Sequence, residues 1–136
     1  MNTPAERLIS IYERHAGAWV GARLREGSLY ERAWLDRFCG SIPQRSSGLD
    51  LGCGAGAPIA RYLSKRGHSI TGVDSSPAMV SMFQSQLPHD QALVADMRTL
   101  SLDQVFHGIL AWDSFFHLNH DDQRRMFPIF RAHAAP

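Results

Sequence analysis

The residues best suited to hold a small molecule form a glycine-rich loop with an aspartate just ahead of it. Residues 48–58 have the sequence GLDLGCGAGAP, in which Gly52, Gly54 and Gly56 recur at every second position and Asp50 precedes them. Glycines spaced in this way permit the tight turn and close backbone approach by which strand–loop–helix units bind nucleotides. The spacing alone fits a dinucleotide as well as other adenosine ligands.

The charge of Asp50 favours a cationic ligand over a dinucleotide. A dinucleotide would bring its pyrophosphate to this turn and to the N-terminus of the following helix. A carboxylate two residues before the loop's first glycine would repel that anion, whereas it would attract an ammonium or sulfonium group. We therefore expect S-adenosylmethionine, which carries both cations and no phosphate, and keep a nicotinamide dinucleotide as the less favoured ligand.

Further acidic residues follow short apolar segments that are typical of strands. They are Asp74, Asp96 and Asp113, each at the end of one such segment. Strands that alternate with helices of about ten residues indicate an α/β fold with a parallel sheet. Ligands of such sheets bind outside the carboxyl ends of the strands. We therefore expect these acids and the glycine loop to meet at one site.

Apolar periodicity and helix-capping residues predict the elements that position these side chains. Strands are predicted at 48–51, 69–74, 91–95 and 105–112, and helices at 3–25, 28–39, 58–66, 76–86 and from 119 onward. The tryptophans Trp19 and Trp34 and the phenylalanines are expected to be core residues rather than a cage around a substrate.

Composition narrows the partners and the compartment. The 136 residues are 44% hydrophobic and 20% charged, and the formal net charge is +1. No strong electrostatic field therefore favours binding to nucleic acid or to an anionic membrane. Cys39 and Cys53 lack the spacing of a zinc site or a disulfide framework. No apolar run is long enough to span a membrane. We expect a cytoplasmic single-domain protein with no metal and no nucleic-acid or membrane partner.

The stretch from Asp50 to Gly56 resembles the first motif of the class I S-adenosylmethionine-dependent methyltransferases. The resemblance extends over residues 45–134. It implies a Rossmann-like parallel sheet of about four strands in the order 3-2-1-4, flanked by helices and preceded by N-terminal helices. It also implies two parts, a helical lid or cap segment at 1–45 and a cofactor-binding α/β core at 46–136.

The resemblance further implies a role for each site residue. Asp74 matches the acid that holds the ribose hydroxyls, and Asp96 with Met97 matches the pair that contacts the adenine. Trp112 flanks the bound cofactor in the fourth-strand motif. The implied site for S-adenosylmethionine, and for its product S-adenosylhomocysteine, comprises Tyr12, Asp50, Gly52, Cys53, Gly54, Gly56, Asp74, Ser75, Asp96, Met97, Trp112 and Asp113.

Structural alternatives stay open for these residues. The glycines could mark only a tight turn, Asp96 could be an ordinary loop acid, and Asp113 could cap a turn instead of lining the pocket. Asp74 could cap the following helix, although Ser76 is better placed to do so. His117 is a candidate general base because an imidazole titrates near neutrality, yet a structural or solvated role is open for it, as for His120.

The methyl acceptor is expected to be a small molecule. Methyl transfer requires mainly that the acceptor be aligned with an already activated carbon and that water be excluded. Residues 112–117, WDSFFH, lack the Asn/Asp-Pro-Pro-aromatic signature typical of enzymes that methylate amino groups of nucleic-acid bases and glutamine. We therefore expect transfer to oxygen or nitrogen of a small molecule. The alternatives are a truncated S-adenosylmethionine-binding protein without turnover and, less favoured, an NAD-binding oxidoreductase.

The chain ends soon after the predicted final helix, whereas similar methyltransferases continue with three more strands. The fourth predicted strand, 105–112, would then be a long apolar sheet edge, which isolated proteins avoid. We expect a second copy to pair with this edge in a two-fold homodimer.

Overall fold

In the computed structural model, which describes residues 32–112 and 114–136, four parallel strands form one sheet. The strands are β1 (Ser47–Leu51), β2 (Ser69–Asp74), β3 (Gln91–Val94) and β4 (Gly108–Leu110). The helices are α1 (Arg32–Ser41), α2 (Ile59–Lys65), α3 (Pro77–Gln86) and α4 (His120–His133), and two 3-10 turns cover Met97–Thr99 and Phe115–His117. The helix predicted at 3–25, with Trp19, lies outside the described residues.

The strand order is β3-β2-β1-β4, which confirms the predicted order 3-2-1-4. β1 pairs with β2 on one side and with β4 on the other, so Asp50 lies level with Gly72 and with Leu110. Asp74 at the end of β2 lies level with Val94 at the end of β3. The loops that leave the carboxyl ends of the strands therefore meet along one edge of the sheet, where ligands of this architecture bind.

The two faces of the sheet carry separate apolar clusters because side chains alternate along each strand. Leu49, Leu51 and Val73 pack on one face with the C-terminal part of the chain, including Phe106 and Met126. The cluster on the other face joins the sheet to α1, α2 and α3. Its buried members are Leu35, Ala60, Leu63, Ile70, Val80, Phe83, Leu87 and Ala92.

Helix α1 takes part in this packing although its sequence lies in the segment predicted as a lid. Leu35 is fully buried, and a Cβ on Gly108 would lie 2.4 Å from Phe38 Cζ, so the helix lies close against β4. Trp34 is 58% exposed and Phe127 in α4 is 61% exposed, so the expectation that these two are core residues is wrong. The ring of Trp34 occupies a different side of α1 from Leu35 and lies against Trp112. The division of the chain at residue 45 stays a prediction.

Capping residues account for several helix boundaries. Ser76 Oγ accepts a hydrogen bond from Met79 N–H at 3.2 Å, and α3 begins directly after this cap as predicted. Asn119 Oδ1 accepts from Asp122 N–H at 2.8 Å and caps α4 in the same way. Helix α2 begins after Pro58, slightly later than the prediction of 58–66.

The fourth strand departs from the prediction of 105–112, which is wrong at both ends. β4 covers only Gly108–Leu110 because its ladder with β1 ends there and Trp112 enters a turn. At the other end, Phe106 N–H donates to His133 O at 2.7 Å and Ala135 N–H donates to Phe106 O at 2.8 Å. The outer edge at Phe106 is therefore paired with the same chain, and pairing with a second copy stays a prediction.

Candidate functional site

The glycine loop adopts the left-handed conformation at three positions. The φ angles are 75° at Gly52, 57° at Gly54 and 84° at Gly56, which glycine tolerates without strain. A Cβ on Gly52 would lie 2.6 Å from Ser114 Cβ, and one on Gly56 would lie 2.8 Å from Phe83 Cδ2. A Cβ on Gly54 would meet nothing nearer than 3.9 Å. Gly54 therefore has room in front of it for a ligand to approach the backbone.

Backbone and carboxylate hydrogen bonds fix the loop to the end of β2. Two N–H groups of the loop donate to Val73 O at 2.7 and 3.1 Å. Gly54 N–H donates to Asp74 Oδ2 at 2.9 Å, and Ser76 N–H donates to Asp74 Oδ1 at 2.9 Å. Asp74 thus joins the glycine loop to the start of α3.

Asp50 is buried and makes no side-chain hydrogen bond or ion pair within residues 32–112 and 114–136. Its exposed fraction is 4%, and alternation along β1 places it on the face opposite Leu49 and Leu51. Burial, and to a lesser degree the nearby Asp74 carboxylate, raises the pKa of Asp50 to about 7. A buried carboxylate without a partner destabilises a protein, and a cationic ligand would offset that cost.

Gly72 is a site residue that the sequence analysis missed. A Cβ on it would lie 2.7 Å from Cys53 Sγ and 2.8 Å from Phe83 Cε2, so only glycine lets the loop lie over β2. A glycine inside a strand signals such a close approach. Burial, together with the Asp50 and Asp74 carboxylates, raises the pKa of the Cys53 thiol. Cys53 therefore stays protonated and fills space beneath the loop.

Asp96 lies at the start of the 3-10 turn after β3, where Arg98 binds its carboxylate. Asp96 Oδ1 accepts from Arg98 N–H at 2.9 Å and from Nε at 3.0 Å, and Oδ2 accepts from Nη2 at 2.6 Å. These hydrogen bonds hold the pKa of Asp96 below its usual range. Arg98 Nη1 lies 3.3 Å from Asp122 Oδ2 in α4. Arg98 was not predicted as a site residue, because its contact with Asp122 joins residues that are far apart in the chain.

The predicted residues Met97 and Ser75, together with Ser114, connect the ends of neighbouring strands around the loop. A Cβ on Gly52 would lie 3.5 Å from Met97 Cε, so the turn after β3 adjoins the glycine loop. Ser114 Oγ donates to the last carbonyl of β1 at 2.9 Å. Ser75 Oγ donates to Ala95 O at 3.2 Å and ties the turn after β2 to the end of β3.

The remaining predicted site residues make no described contact with the glycine loop. Trp112 is half-buried, with its ring centroid 6.4 Å from that of Trp34. His117 is exposed at the end of the second 3-10 turn. Asp113 and Tyr12 lie outside the described residues.

In the part of the chain that the structure describes, no group of three or more histidine, cysteine, aspartate or glutamate side chains could hold a metal ion. None of the helices described has the length and hydrophobicity needed to cross a membrane.

The arrangement suits an elongated ligand with a cation at one end and hydroxyls in the middle. Asp50 lies in β1 two residues before the glycine loop, Asp74 holds the loop from β2, and Asp96 lies at the next strand end. The three acids thus follow one another from β1 to β2 to β3. Such a row of acceptors repels phosphate and attracts donors and positive charge.

Comparison with known proteins identifies the family to which this chain belongs. Residues 49–136 match the family of methyltransferase domains. A trans-aconitate 2-methyltransferase from Escherichia coli is 41% identical over 81 residues, which are 58% of this chain and 31% of that protein. The chain therefore spans about a third of the length of the curated relatives it matches.

Solved methyltransferase structures share the fold. A TehB-like S-adenosylmethionine-dependent methyltransferase from Corynebacterium glutamicum superposes with a TM-score of 0.74 at 23% identity, over 92% of this chain and 67% of that one. An amino pentose methyltransferase from Micromonospora echinaspora, solved with S-adenosylmethionine bound, has a TM-score of 0.74 at 24% identity, over 88% of this chain and 52% of that one.

Proposed function

Since the chain belongs to the family of methyltransferase domains, we propose that it binds S-adenosylmethionine and transfers the methyl group to an oxygen or nitrogen of a small molecule. The observation that supports this best is the buried carboxylate of Asp50, for which the described residues supply no cationic partner. The cationic methionine portion of S-adenosylmethionine would supply one. The pyrophosphate of a dinucleotide would instead add repulsion.

The acids at the strand ends would each hold one part of the cofactor. Asp50 would lie toward the ammonium and sulfonium groups, Asp74 would accept hydrogen bonds from the ribose, and Asp96 with Met97 would contact the adenine. The contact of Met97 with the glycine loop supports a continuous site. The full proposed set is Tyr12, Asp50, Gly52, Cys53, Gly54, Gly56, Asp74, Ser75, Asp96, Met97, Trp112 and Asp113.

The chain's own contribution to the reaction would be alignment and exclusion of water. A bound sulfonium supplies an already activated methyl group, so an aligned acceptor needs little further activation. The segment after β4, anchored where Ser114 donates to the end of β1, would form the acceptor side. His117 on that segment would accept the acceptor's proton in reactions that require its removal.

Calorimetric titration with S-adenosylmethionine, S-adenosylhomocysteine and NAD tests the cofactor assignment. We expect both adenosyl ligands to bind and NAD not to bind. Asp50→Asn should weaken adenosyl binding, whereas Asp103→Asn, which changes an exposed acid after β3, should not. Binding of NAD without binding of the adenosyl ligands would contradict the proposal.

A turnover assay tests the second half of the proposal. Labelled S-adenosylmethionine would be incubated with a panel of small acceptors, including trans-aconitate and an amino pentose because proteins similar to this chain bear those names. We expect label to reach one acceptor. Binding without turnover on any acceptor would favour the alternative of a binding protein.

The predicted homodimer and compartment are also proposals. The dimer would use the outer edge of β4, beside the point where Phe106 pairs with Ala134. A stable monomer in light scattering at micromolar concentration would contradict the dimer. Cys39 and Cys53 are both free thiols, which supports a reducing compartment such as the cytoplasm.

A further inference from the structure

The feature that the cofactor assignment leaves unexplained is the chain of charged groups behind Asp96. Asp96, Arg98 and Asp122 form a line from the turn after β3 to the first turn of α4. Exposure of the side chains decreases along it, from 34% for Asp96 to 13% for Arg98 and 8% for Asp122. Only the Asp96 end is therefore substantially open to a ligand.

Arg98 leaves the Asp96 carboxylate little freedom. Three N–H groups of Arg98, one from the backbone and two from the guanidinium, donate to the carboxylate at 2.6–3.1 Å, and the Nε–H is shared between its two oxygens. Since a carboxylate has about four acceptor positions, about one is left for a ligand donor. The same contacts keep the pKa of Asp96 low, so the group accepts and does not donate.

Asp122 in turn fixes the guanidinium. Arg98 Nη1 lies 3.3 Å from Asp122 Oδ2, and the other oxygen of Asp122 lies 3.8 Å from the exposed Arg125. Asp122 is itself held by the Asn119 cap, whose Oδ1 accepts its backbone N–H. An ion pair that is largely shielded from solvent in this way holds its partners in one orientation, and removal of either partner is costly.

We propose that Arg98, supported by Asp122, is a positioning residue that makes the site specific for adenine. This inference rests on the proposed function, in which Asp96 and Met97 contact the base. Adenine presents a donor, its exocyclic amino group, where hypoxanthine presents a carbonyl acceptor. A carboxylate held with one open acceptor position matches the amino group and repels the carbonyl. Met97 is the first residue of the 3-10 turn, so its N–H has no acceptor within the turn and suits the ring nitrogen beside that amino group.

The test compares binding of S-adenosylhomocysteine and S-inosylhomocysteine, which differ only at this edge of the base. We expect the wild type to prefer the adenosyl ligand by about tenfold or more, the scale of one hydrogen bond to a charged group. Arg98→Lys keeps the positive charge but loses the planar guanidinium that donates several hydrogen bonds to the carboxylate at once. The released carboxylate can then rotate to accept the N1–H of hypoxanthine, so the preference should fall to within about threefold.

Asp122→Asn tests the same inference at a residue that touches no ligand. Asp122→Asn should also reduce the preference for S-adenosylhomocysteine over S-inosylhomocysteine. The double variant with Arg98→Lys should show the same preference as Arg98→Lys alone, because Asp122 acts through Arg98. Asp121→Asn is the matched control: it removes an acid from the same helical turn, but Asp121 is exposed and pairs with Arg124. The control should keep the wild-type preference.

The outcomes separate this inference from the proposed function. If Arg98→Lys and Asp122→Asn weaken both ligands equally and leave the preference unchanged, Arg98 is only structural and the inference is wrong. If either variant fails to fold, the other gives the result, and chemical denaturation identifies which one is folded. If the wild type binds neither ligand, it is the proposed cofactor that is wrong.

Discussion

Replacing Asp50 by asparagine should stabilise the protein without ligand and weaken binding of the cofactor. The substitution keeps the shape of a side chain that is 4% exposed and removes its charge. Burial raises the pKa of Asp50 from its ordinary value of 3.8 to about 7. Because a tenfold change in proton affinity corresponds to about 1.4 kcal/mol, the ionised side chain costs the folded state up to about 4 kcal/mol at pH 8.

The sign of the pH dependence follows from linkage. Between the unfolded and folded pKa values the folded protein binds more protons at Asp50 than the unfolded chain does, so stability falls as pH rises through this window. The loss begins near pH 4 and is complete above pH 7. From pH 5 to pH 8 it amounts to about 3 kcal/mol for Asp50 alone. The asparagine variant lacks this contribution.

Urea denaturation of both proteins at pH 5 and pH 8 measures the effect. We expect Asp50→Asn to be more stable than the wild type at pH 8, and the difference between the two proteins to shrink by about 3 kcal/mol at pH 5. The matched control Asp103→Asn, at an exposed acid, should follow the wild-type curve. If the Asp50→Asn variant were the less stable protein at pH 8, or if the difference did not depend on pH, the assignment of Asp50 as a buried, unpaired carboxylate would be refuted.

Three further substitutions, the first of them with a matched control, test other contacts. Gly56→Ala forces a Cβ to within 2.8 Å of Phe83 at a φ of 84° and should lower the free energy of unfolding by about 1–3 kcal/mol, measured by thermal or urea denaturation. The control Gly40→Ala lies in a helix with nothing within 4 Å of the added Cβ, and it should stabilise the protein by about 0.5–1 kcal/mol. Equal effects of the two substitutions would contradict the described loop. Asp74→Ala should weaken S-adenosylhomocysteine binding by roughly 1.5–3 kcal/mol in calorimetry, and unchanged affinity would remove Asp74 from the site. His133→Ala removes the Nε2 that accepts a hydrogen bond from the backbone N–H of residue 102 at 2.9 Å. It should lower the free energy of unfolding by about 2–4 kcal/mol. A decrease of less than about 1 kcal/mol would contradict that buried contact.

The sequence predicted best what is encoded locally. The limits of β2 and the cap of α3 follow from an apolar segment and from Ser76 before a proline, which short-range physics decides. The strand order followed from the resemblance of Asp50 and its glycines to a known motif, and Asp74 lies beside that loop as this implied.

What the sequence did not predict depends on residues far apart in the chain. Phe106 pairs with residues near 134, and this contact changes the extent of the fourth strand and of its open edge. Arg98 meets Asp122 across 24 positions, so neither residue carried a recognisable signal alone. Gly72 was the exception, because a glycine inside a strand was a readable sign of close packing.

The central claim is that a cationic ligand pairs with the buried Asp50, and proton release on binding tests it most directly. At pH 6.5 a carboxyl group with a pKa of about 7 is mostly protonated, so a ligand that requires its charged form must displace roughly 0.75 proton. Calorimetric titration of S-adenosylhomocysteine in buffers of different ionisation enthalpy measures this number. We expect release near that value for the wild type and none for Asp50→Asn. Equal proton release by the two proteins would contradict the account.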